Sequence, residues 1–295
     1  MSNIIWETLS YYKHLILNES ERKKLPTRVL TTAETLKAIR EHRYSLSRYG
    51  DGEFDLIFGN SLKFQKYDQR LAEKMKSILS DTPESDVCKV AIPRTFESLK
   101  ELTRNSKRFW SLYLLDNRKK IYDILCPSYT YYDAQITRIY VNRQRKSDSV
   151  VYFRQWKELW SGEDLLVVEG VSSRFGAGND LFAEAKSVQR ILCPAKDAFD
   201  YYDEIIEAVV QHGQNKLVLL ALGPTATALA YDLSHRGIWT IDSGNLDMEY
   251  EWSNIRAKTQ VAIKGKYTHE AENGTDVSEI TDKNYESQII ARIGI

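Results

Sequence analysis

The stretch "LVLLALGPTATALAYDL", residues 217–233, decides the fold because it joins an apolar run to an alanine-rich segment at Gly223. A strand with one solvent-exposed face would alternate polar and apolar residues, so the unbroken apolar run predicts a strand that is buried on both faces. Pro224 suits the first turn of a helix, where its missing N–H group costs no hydrogen bond. The stretch therefore predicts a strand followed by a helix, the unit from which parallel sheets are built.

Similar apolar runs recur along the chain, and each ends in glycine or proline. They are "YSLSRYG" (44–50), "DVCKVAIP" (86–93), "KIYDILCP" (120–127), "EDLLVVEG" (163–170), "VQRILCP" (188–194) and "GIWTIDSG" (237–244). Helical spacing is found between several of them, in "YDQRLAEKMKSIL" (67–79), "DLFAEAKSVQ" (180–189) and "AFDYYDEIIEAVVQHG" (198–213). This alternation predicts an α/β fold with a doubly wound, mostly parallel sheet and helices on both faces.

Length and composition limit the number of domains and the kind of partner. The chain has 295 residues, with 41 Lys and Arg against 41 Asp and Glu, so its net charge is zero. Binding to nucleic acid through bulk positive charge is therefore not expected. The N-terminal residues do not resemble a leader, and no apolar run is long enough to span a membrane. We predict one cytoplasmic domain over residues 1–295, with helices in 1–44 and a peripheral segment at 264–295.

Ligands of doubly wound sheets bind beyond the carboxyl ends of the strands, so the residues after each apolar run are candidates for a site. In "RYGDGEF", residues 48–54, two glycines alternate with Asp51 and Glu53. If the strand continues, side chains two residues apart point the same way, and both carboxylates could hold one Mg²⁺ or Mn²⁺ ion. The alternative is a solvated Asp-Gly turn.

Two further strand ends predict a cradle for phosphate groups, since backbone N–H groups in such loops and at helix starts bind anions. One is "VVEGVSSRFGAGNDLF", residues 167–182, with a helix predicted to follow it. It supplies Gly170, Ser173, Arg174, Gly176 and Gly178, and Asn179 or Asp180 as the helix cap. The other is the helix start at Gly223, Pro224 and Thr225. The alternatives are a flexible surface loop for the first and a close-packed strand–helix junction for the second.

The fourth candidate is "GIWTIDSGNLDMEYEW", residues 237–252, in which Asp242 ends a predicted strand. Asp247, Glu249 and Glu251 recur at every second position, so they would face one way in an extended chain. A carboxylate of this kind, close to a metal site, can serve as the general base that activates a sugar hydroxyl. The alternative is a solvated acidic edge.

Other chemistry is not supported by these segments. None of the five histidines lies in them, so neither a histidine relay nor a histidine-rich metal site is predicted. Ser172 and Ser173 do not stand in a G-x-S-x-G elbow, which argues against a serine hydrolase. The basic stretch "RIYVNRQRK", residues 138–146, predicts a solvated helix face, and the alternative is contact with a phosphate or an anionic acceptor.

Together the segments resemble the GT-D type bacterial glycosyltransferases. The resemblance rests on "RYGDGEF" (48–54), "VEGVSSRFGAGNDLF" (168–182), "RILCPAKDAF" (190–199), "LGPTATALAYDL" (222–233), "DSGNLDMEYEW" (242–252) and "KGKY" (264–267). It implies a Rossmann-like sheet, a UDP-sugar donor such as UDP-glucose, and a divalent cation, usually Mn²⁺. It also implies that Asp51 and Glu53 form the D-x-E motif that serves the metal and the donor diphosphate. Many relatives carry histidine where this chain has Asn245, which cannot bind Mn²⁺ through an imidazole.

The resemblance further implies transfer of a sugar, glucose in the best-known members, to a glycan or glycopeptide on bacterial surface adhesins. On this interpretation Asp51 and Glu53 hold Mn²⁺ or Mg²⁺, and Asp247 or Glu249 activates the acceptor. The predicted donor site consists of Arg48, Gly50, Gly170, Ser173, Arg174, Gly176, Gly178, Asn179, Gly223, Pro224, Thr225 and Asp242. The alternative function is a non-catalytic module that binds a nucleotide sugar or a sugar phosphate.

Overall fold

The computed structural model describes residues 12–13, 15–18, 20–82, 85–275, 277 and 282–295. At its centre is an eight-stranded sheet in which each pairing between neighbouring strands is parallel. The order across the sheet is β3-β2-β1-β7-β6-β4-β5-β8. In chain order the strands are β1 (Ser45–Arg48), β2 (Cys88–Ile92), β3 (Tyr132–Asp133), β4 (Asp164–Gly170), β5 (Ser187–Cys193), β6 (Leu217–Ala221), β7 (Thr240–Asp242) and β8 (Ile289–Arg292).

Helices precede or connect most of these strands. The α-helices are α1 (Thr32–His42), α2 (Asp51–Ile57), α3 (Gln69–Asp81), α4 (Arg104–Tyr122), α5 (Asp148–Trp160), α6 (Tyr202–His212), α7 (Pro224–Ser234), α8 (Leu246–Asn254) and α9 (Lys283–Ser287). Short 3₁₀ helices span Arg22–Lys24, Arg94–Phe96, Ala134–Thr137 and Ala198–Tyr201. Over the residues that the structure describes, no helix combines the length and the apolar character needed to cross a membrane.

The helices predicted within residues 1–44 are present where the structure describes them. Residues 15–18 are helical, and α1 follows the N-cap Thr31. The Thr31 side chain accepts a hydrogen bond from the Glu34 N–H group, while the Glu34 carboxylate accepts one from the Thr31 N–H group. This capping box fixes the start of α1. Residues 1–11 lie outside the described part of the chain.

Both faces of the sheet are covered, as the unbroken apolar runs predict. In β4, Leu165 and Val167 pack with residues of α1, α5 and α8 on one face. Leu166 and Val168 point to the other face, where they pack with residues of α6 and α7. Because neighbouring side chains of a strand point to opposite faces, a strand enclosed on both sides must be apolar throughout. The predicted doubly wound parallel sheet is confirmed.

Two predicted elements are wrong. "KIYDILCP" (120–127) is not a strand, since its first residues end α4, where Trp110, Leu114 and Ile121 form one buried helical face. "DLFAEAKSVQ" (180–189) is not a helix, because residues 171–186 form turns that lead directly into β5. Contacts with distant residues hold these turns, among them the hydrogen bond from the Trp160 indole to the Leu181 carbonyl. Tertiary contacts outweigh local helical spacing here.

The C-terminal segment is not peripheral, contrary to the prediction for 264–295. β8 pairs in parallel with β5 and forms one edge of the sheet. Lys266 is only 5% exposed, and its ammonium group contacts the carboxylates of Asp247 and Glu251 at 2.6 and 2.8 Å. Lys266 shows that a charged residue of this segment can be buried through charge pairing, which hydropathy alone cannot distinguish from exposure to solvent.

Candidate active site

A cavity of about 760 Å³ opens beyond the carboxyl ends of the strands. Its walls include residues that directly follow strands, such as Tyr49 after β1, Pro93 after β2, Pro194 after β5 and Leu222 after β6. The β1–β7 pair lies at its centre, with β2 and β3 on one side and β4, β5 and β6 on the other. The location agrees with the expectation for ligands of doubly wound sheets.

Asp51 and Glu53 lie in the first turn of a helix, not in an extended strand as predicted. Gly50 is the N-cap of α2, and its N–H group donates to the Glu53 carboxylate over 2.6 Å. Phe54 is fully buried in the core, which also favours the helical turn. Residues two apart in a helix are about 200° apart around its axis. Both side chains nevertheless line the cavity, because the turn projects into it.

Arg48 connects the two central strands at the floor of the cavity. Its guanidinium donates to the carbonyl oxygen of Asp242 at 2.7 Å and to its carboxylate at 2.9 Å. A third hydrogen bond, of 2.9 Å, reaches the carbonyl of Ala134. Gly244 makes room for this arrangement, since its φ is +47° and an added Cβ would lie 1.9 Å from the Arg48 Nη2 atom. Arg48 and Asp242 are thus a fixed ion pair that shapes the floor.

Negative charge accumulates above this pair. Burial raises the pKa of Glu53 to about 7, and repulsion from Asp242 and Asp51 adds to the effect, although the Gly50 N–H group and Arg48 oppose it. Burial also raises the pKa of Asp51, against the attraction of Arg138. Within the described part of the chain, no other residue donates a hydrogen bond to the Asp51 carboxylate. The site therefore has anionic groups that a cation would stabilise.

These carboxylates fit one mode of divalent cation binding. Among the described residues, no group of three or more His, Cys, Asp or Glu side chains is arranged to hold a metal ion by itself. Mg²⁺ is commonly bound through one or two carboxylates, with substrate phosphates and water completing its ligands. Asp51 and Glu53 supply such a pair of hard oxygen donors, which also suit Mn²⁺.

A second charged pair in the wall was not predicted. Arg138 and Glu270 form a salt bridge, and the Glu270 carboxylate also accepts a 3.1 Å hydrogen bond from the Asn245 amide. Burial opposes ionisation of Glu270, but the charge and hydrogen bond of Arg138 outweigh it and lower the pKa of this carboxyl. The prediction of a solvated helix face at 138–146 is wrong, since no α-helix forms there and Arg143 is buried.

The loop after β4 contributes less than predicted. Gly170 and Ser173 line the cavity, and the Ser173 N–H group closes a turn on the Gly170 carbonyl at 2.8 Å. Arg174 lies elsewhere, with its guanidinium 5.7 Å from the centroid of the Tyr285 ring. The remaining predicted loop residues line a separate cavity of about 200 Å³, namely Gly176, Gly178 and Asn179. The predicted phosphate cradle is thus reduced to the turn at Gly170 and Ser173.

Of the three residues predicted at the helix start after β6, Gly223 lines the cavity, and Pro224 and Thr225 do not. Pro224 begins α7 as predicted, but it and Thr225 are buried behind the wall, where the Thr225 hydroxyl contacts Gln65 at 3.3 Å. Gly223 has a φ of +55°, and an added Cβ would lie 2.8 Å from the Phe64 ring. Phe64 also packs on His269, with 4.4 Å between ring centroids. Phe64, from the loop between α2 and α3, and His269, from the C-terminal segment, thus contact each other beside Gly223.

Asp247 and Glu249, the predicted bases, lie in α8 and do not line the cavity. The extended conformation predicted for them is therefore wrong. Glu249 is fully buried and accepts hydrogen bonds from the N–H groups of Tyr140 and Val141 at 2.6 and 2.9 Å. The Asp247 carboxylate accepts one from the Gly176 N–H group at 2.9 Å, in addition to its contact with the Lys266 ammonium. Both carboxylates fix loops around the site.

Fold and site together define an α/β protein with a ligand cavity at the strand ends, walled by carboxylates, glycine turns and one helix start. The family described as glycosyltransferase GT-D fold matches residues 46–271. The chain belongs to this family.

Curated relatives agree with this assignment. "Glycosyltransferase GlyD" of Streptococcus pneumoniae serotype 4 is 38% identical over 260 residues, which are 88% of this chain and 32% of the relative. "Probable glycosyl transferase Gly" of Streptococcus gordonii is 34% identical over 277 residues, which are 94% of this chain and 40% of the relative. The chain thus spans less than half the length of either curated relative.

Solved structures show the same architecture. One, described as a highly conserved domain of unknown function 1792 with a distinct glycosyltransferase fold, has a TM-score of 0.88 and 39% identity over 94% of this chain and all of that one. Another, described as a new glycosyltransferase from Streptococcus sanguinis, has a TM-score of 0.85 and 37% identity over 91% of this chain and all of that one.

Proposed function

We propose that this chain transfers a sugar, glucose in the first instance, from a UDP-sugar to a glycan acceptor with the help of Mn²⁺ or Mg²⁺. The observation that carries the proposal is the pair Asp51 and Glu53, which face the same cavity as the turns at Gly170 and Gly223. A nucleotide diphosphate carries negative charge that a divalent cation can neutralise, and Asp51 and Glu53 are carboxylates that can hold such a cation.

The residues of the floor would act on the donor in different ways. Gly170 and Gly223 line the cavity and would lie beside the diphosphate, and each is closely packed, since an added Cβ would lie 3.2 Å from the Ala195 Cα atom at Gly170 and 2.8 Å from the Phe64 ring at Gly223. Arg48 already donates three hydrogen bonds within the protein, so its part is to hold Asp242 and the floor in place. The cation held by Asp51 and Glu53 would stabilise negative charge on the departing diphosphate.

A residue of the cavity wall is a better candidate than Asp247 or Glu249 of α8 for activating the acceptor hydroxyl. Asp247 and Glu249 would have to leave several hydrogen bonds to reach a substrate. A general base must lie within hydrogen-bond reach of the hydroxyl that it deprotonates. Glu270 lines the cavity, where a substrate can reach it, although its contacts with Arg138 and Asn245 would have to rearrange before it could accept a proton. It is the carboxylate we propose for this role if the acceptor hydroxyl is deprotonated by the protein.

The acceptor we propose is a glycan on a bacterial surface glycoprotein, modified in the cytoplasm. The descriptions of the two streptococcal relatives name glycosyltransferases, which supports sugar transfer but names no acceptor. The shared family and the extent of the structural match support a common chemistry, while the acceptor itself follows only from the sequence resemblance.

A screen for UDP release tests the proposal. The protein is incubated with common UDP-sugars, each with Mn²⁺, with Mg²⁺ or with a chelator, and with a glycan acceptor mixture. We expect release from one UDP-sugar, UDP-glucose first, and its loss in the chelator. Calorimetric binding of UDP without turnover of any donor would instead favour the nucleotide-sugar binding module. Release that persists unchanged in the chelator would refute the metal role.

A further inference from the structure

The cavity has a second end whose chemistry differs from that of the donor floor. On the side of β2 and β3, its wall is made by the start of α4 together with two loops. The wall residues here are Asn105, Ser106, Phe109, Trp110, Asn142 and Gln260. They are amides, a hydroxyl and aromatic rings, whereas the floor at the β1–β7 pair carries carboxylates and an arginine. Lys258 is the charged residue at the edge of this end.

Phe109 gives this wall an apolar surface. The residue is 48% exposed although it lines the cavity. Its ring contacts Trp110 edge to face and stacks with Tyr113, with centroid separations of 5.4 and 6.1 Å. An exposed ring held by other rings presents a fixed apolar face to a ligand. The C–H groups on one face of a sugar ring are complementary to such a surface.

Amide groups surround this ring. The Asn142 side-chain oxygen accepts hydrogen bonds from the Ser106 hydroxyl at 2.9 Å and from the Gln260 amide at 3.3 Å. These contacts fix both amides and leave the Asn142 NH₂ group and the Gln260 oxygen without another partner among the described residues. An amide offers both a donor and an acceptor, which is what neighbouring hydroxyl groups require. The combination of a ring and fixed amides suits an uncharged sugar.

We propose that the α4 end of the cavity is the acceptor subsite, where an uncharged sugar residue stacks on Phe109 and hydrogen-bonds to Asn142 and Gln260. The inference rests on the proposed function, and it adds the position and chemistry of the second substrate. Asp51 and Glu53 lie between this end and the turns at Gly170 and Gly223, so a hydroxyl on a stacked sugar would point toward the donor. Phe109 is therefore a positioning residue for the acceptor.

Binding and transfer measurements with simple glycosides test this subsite. Methyl β-glucoside, methyl β-N-acetylglucosaminide and the anionic methyl β-glucuronide are added to the full chain, and binding is followed by ligand-observed NMR with and without UDP. Transfer from the donor found by the UDP-release screen gives the acceptor KM. The variants are Phe109→Ala, Phe109→Tyr and, as a matched control on the same helix, Leu112→Ala. Leu112 is 42% exposed and does not line the cavity.

We expect the neutral glycosides to bind and not to be displaced by UDP. Phe109→Ala should weaken glycoside binding and raise the acceptor KM about tenfold, as loss of an aromatic contact does. Donor hydrolysis and UDP binding should stay unchanged, while Phe109→Tyr and Leu112→Ala should behave as the wild type. Any of four results would overturn the subsite. They are tighter binding of the glucuronide than of the neutral glycosides, displacement of the glycosides by UDP, absence of glycoside binding, and an unchanged acceptor KM in Phe109→Ala. Because NMR needs no donor, failure of the UDP-release screen alone would refute only the proposed function.

Discussion

Two acidic stretches of this chain look alike in sequence and differ in use. Asp51 and Glu53 begin α2, and Asp247 and Glu249 begin α8, each pair with one residue between its acids. The first pair lines the cavity. The second pair is buried away from it and accepts hydrogen bonds from backbone N–H groups of neighbouring loops. The same pattern of acids thus gives a ligand site in one place and a structural anchor in the other.

The difference lies in what each pair has as partners. Asp247 contacts the buried ammonium of Lys266, and Glu249 accepts from two backbone N–H groups. Asp51 has no comparable donor within the described residues. Asp247 has protein partners on both carboxylate oxygens and Glu249 is enclosed by the protein, so neither faces a ligand, whereas Asp51 lies in the cavity, where a carboxylate without a donor favours a cation. Substitutions in the two pairs should therefore affect different properties.

The largest effect is expected from the double variant Asp51→Asn with Glu53→Gln. Loss of the cation should lower the rate of UDP release about a thousandfold, or about 4 kcal/mol in transition-state stabilisation. Folding should be retained, because the amide oxygen introduced at position 53 can still accept the hydrogen bond from the Gly50 N–H group. Steady-state UDP release and thermal denaturation measure the two effects.

Asp55→Asn is the matched control, since Asp55 lies on the same helix outside the cavity. Full activity of the double variant would remove the functional contrast between the two pairs.

Glu249→Ala should instead act on stability. It leaves the N–H groups of Tyr140 and Val141 without their buried acceptor, which should cost about 3 kcal/mol of unfolding free energy. Urea denaturation followed by circular dichroism measures this loss. The folded fraction should bind UDP as tightly as the wild type. Normal stability combined with lost turnover would show that Glu249 is catalytic and that the two pairs are alike after all.

Glu249→Gln should change how stability depends on pH. Burial raises the pKa of Glu249 to about 7, against the attraction of Arg138, so the folded protein holds a proton that the unfolded chain releases above about 4.5. This stabilisation is complete below about pH 4.5 and is lost as the pH rises through about 7. The glutamine variant stays neutral. It should match the wild type near pH 5 and exceed it by about 2 kcal/mol at pH 8. If the glutamine variant and the wild type differed in unfolding free energy by the same amount at pH 5 and pH 8, the raised pKa assigned to Glu249 would be wrong.

Thr31→Ala should have the smallest effect, far from both acidic pairs. It removes the side-chain cap of α1 and should cost about 1 kcal/mol of unfolding free energy. Turnover should be unchanged, which makes this variant a reference for loss of stability without change at the site. Denaturation and UDP release are measured as for the other variants. A marked fall in turnover would mean that stability and activity are not separable in this fold.

Much of the sheet could be predicted because buried parallel strands have a strong local signature. β4 and β6 are apolar runs that end in glycine or precede one, and both are present as predicted. "KIYDILCP" misled because a short apolar run fits a strand and the end of a helix equally well. β3 has only two residues, and the apolar run of β8 (Ile289, Ile290 and Ala291) is too short to indicate a strand by itself.

The site could be predicted only where it follows strands. Arg48, Asp51, Glu53 and Gly223 were found because strand ends converge on one edge of the sheet. Arg138 follows β3 through a short 3₁₀ helix, but that strand has no signature in the sequence, and His269 and Glu270 do not directly follow any strand of the described chain. The "KGKY" stretch ends two residues before His269. Its sequence gives no indication that His269 and Glu270 line the cavity. Partners that meet across a hundred residues leave no local pattern.

The edge strand β8 has a consequence for how the chain can be divided. The family match ends at residue 271, whereas β8 covers the edge of β5 with residues beyond that point. A fragment cut at the end of the family match would expose the backbone groups of β5, and an open strand edge is a template for pairing with other molecules. Such a fragment would retain most of the cavity and yet self-associate. With four residues against seven in β5, the last strand replaces a long open edge by a shorter one, which lowers the tendency to self-associate.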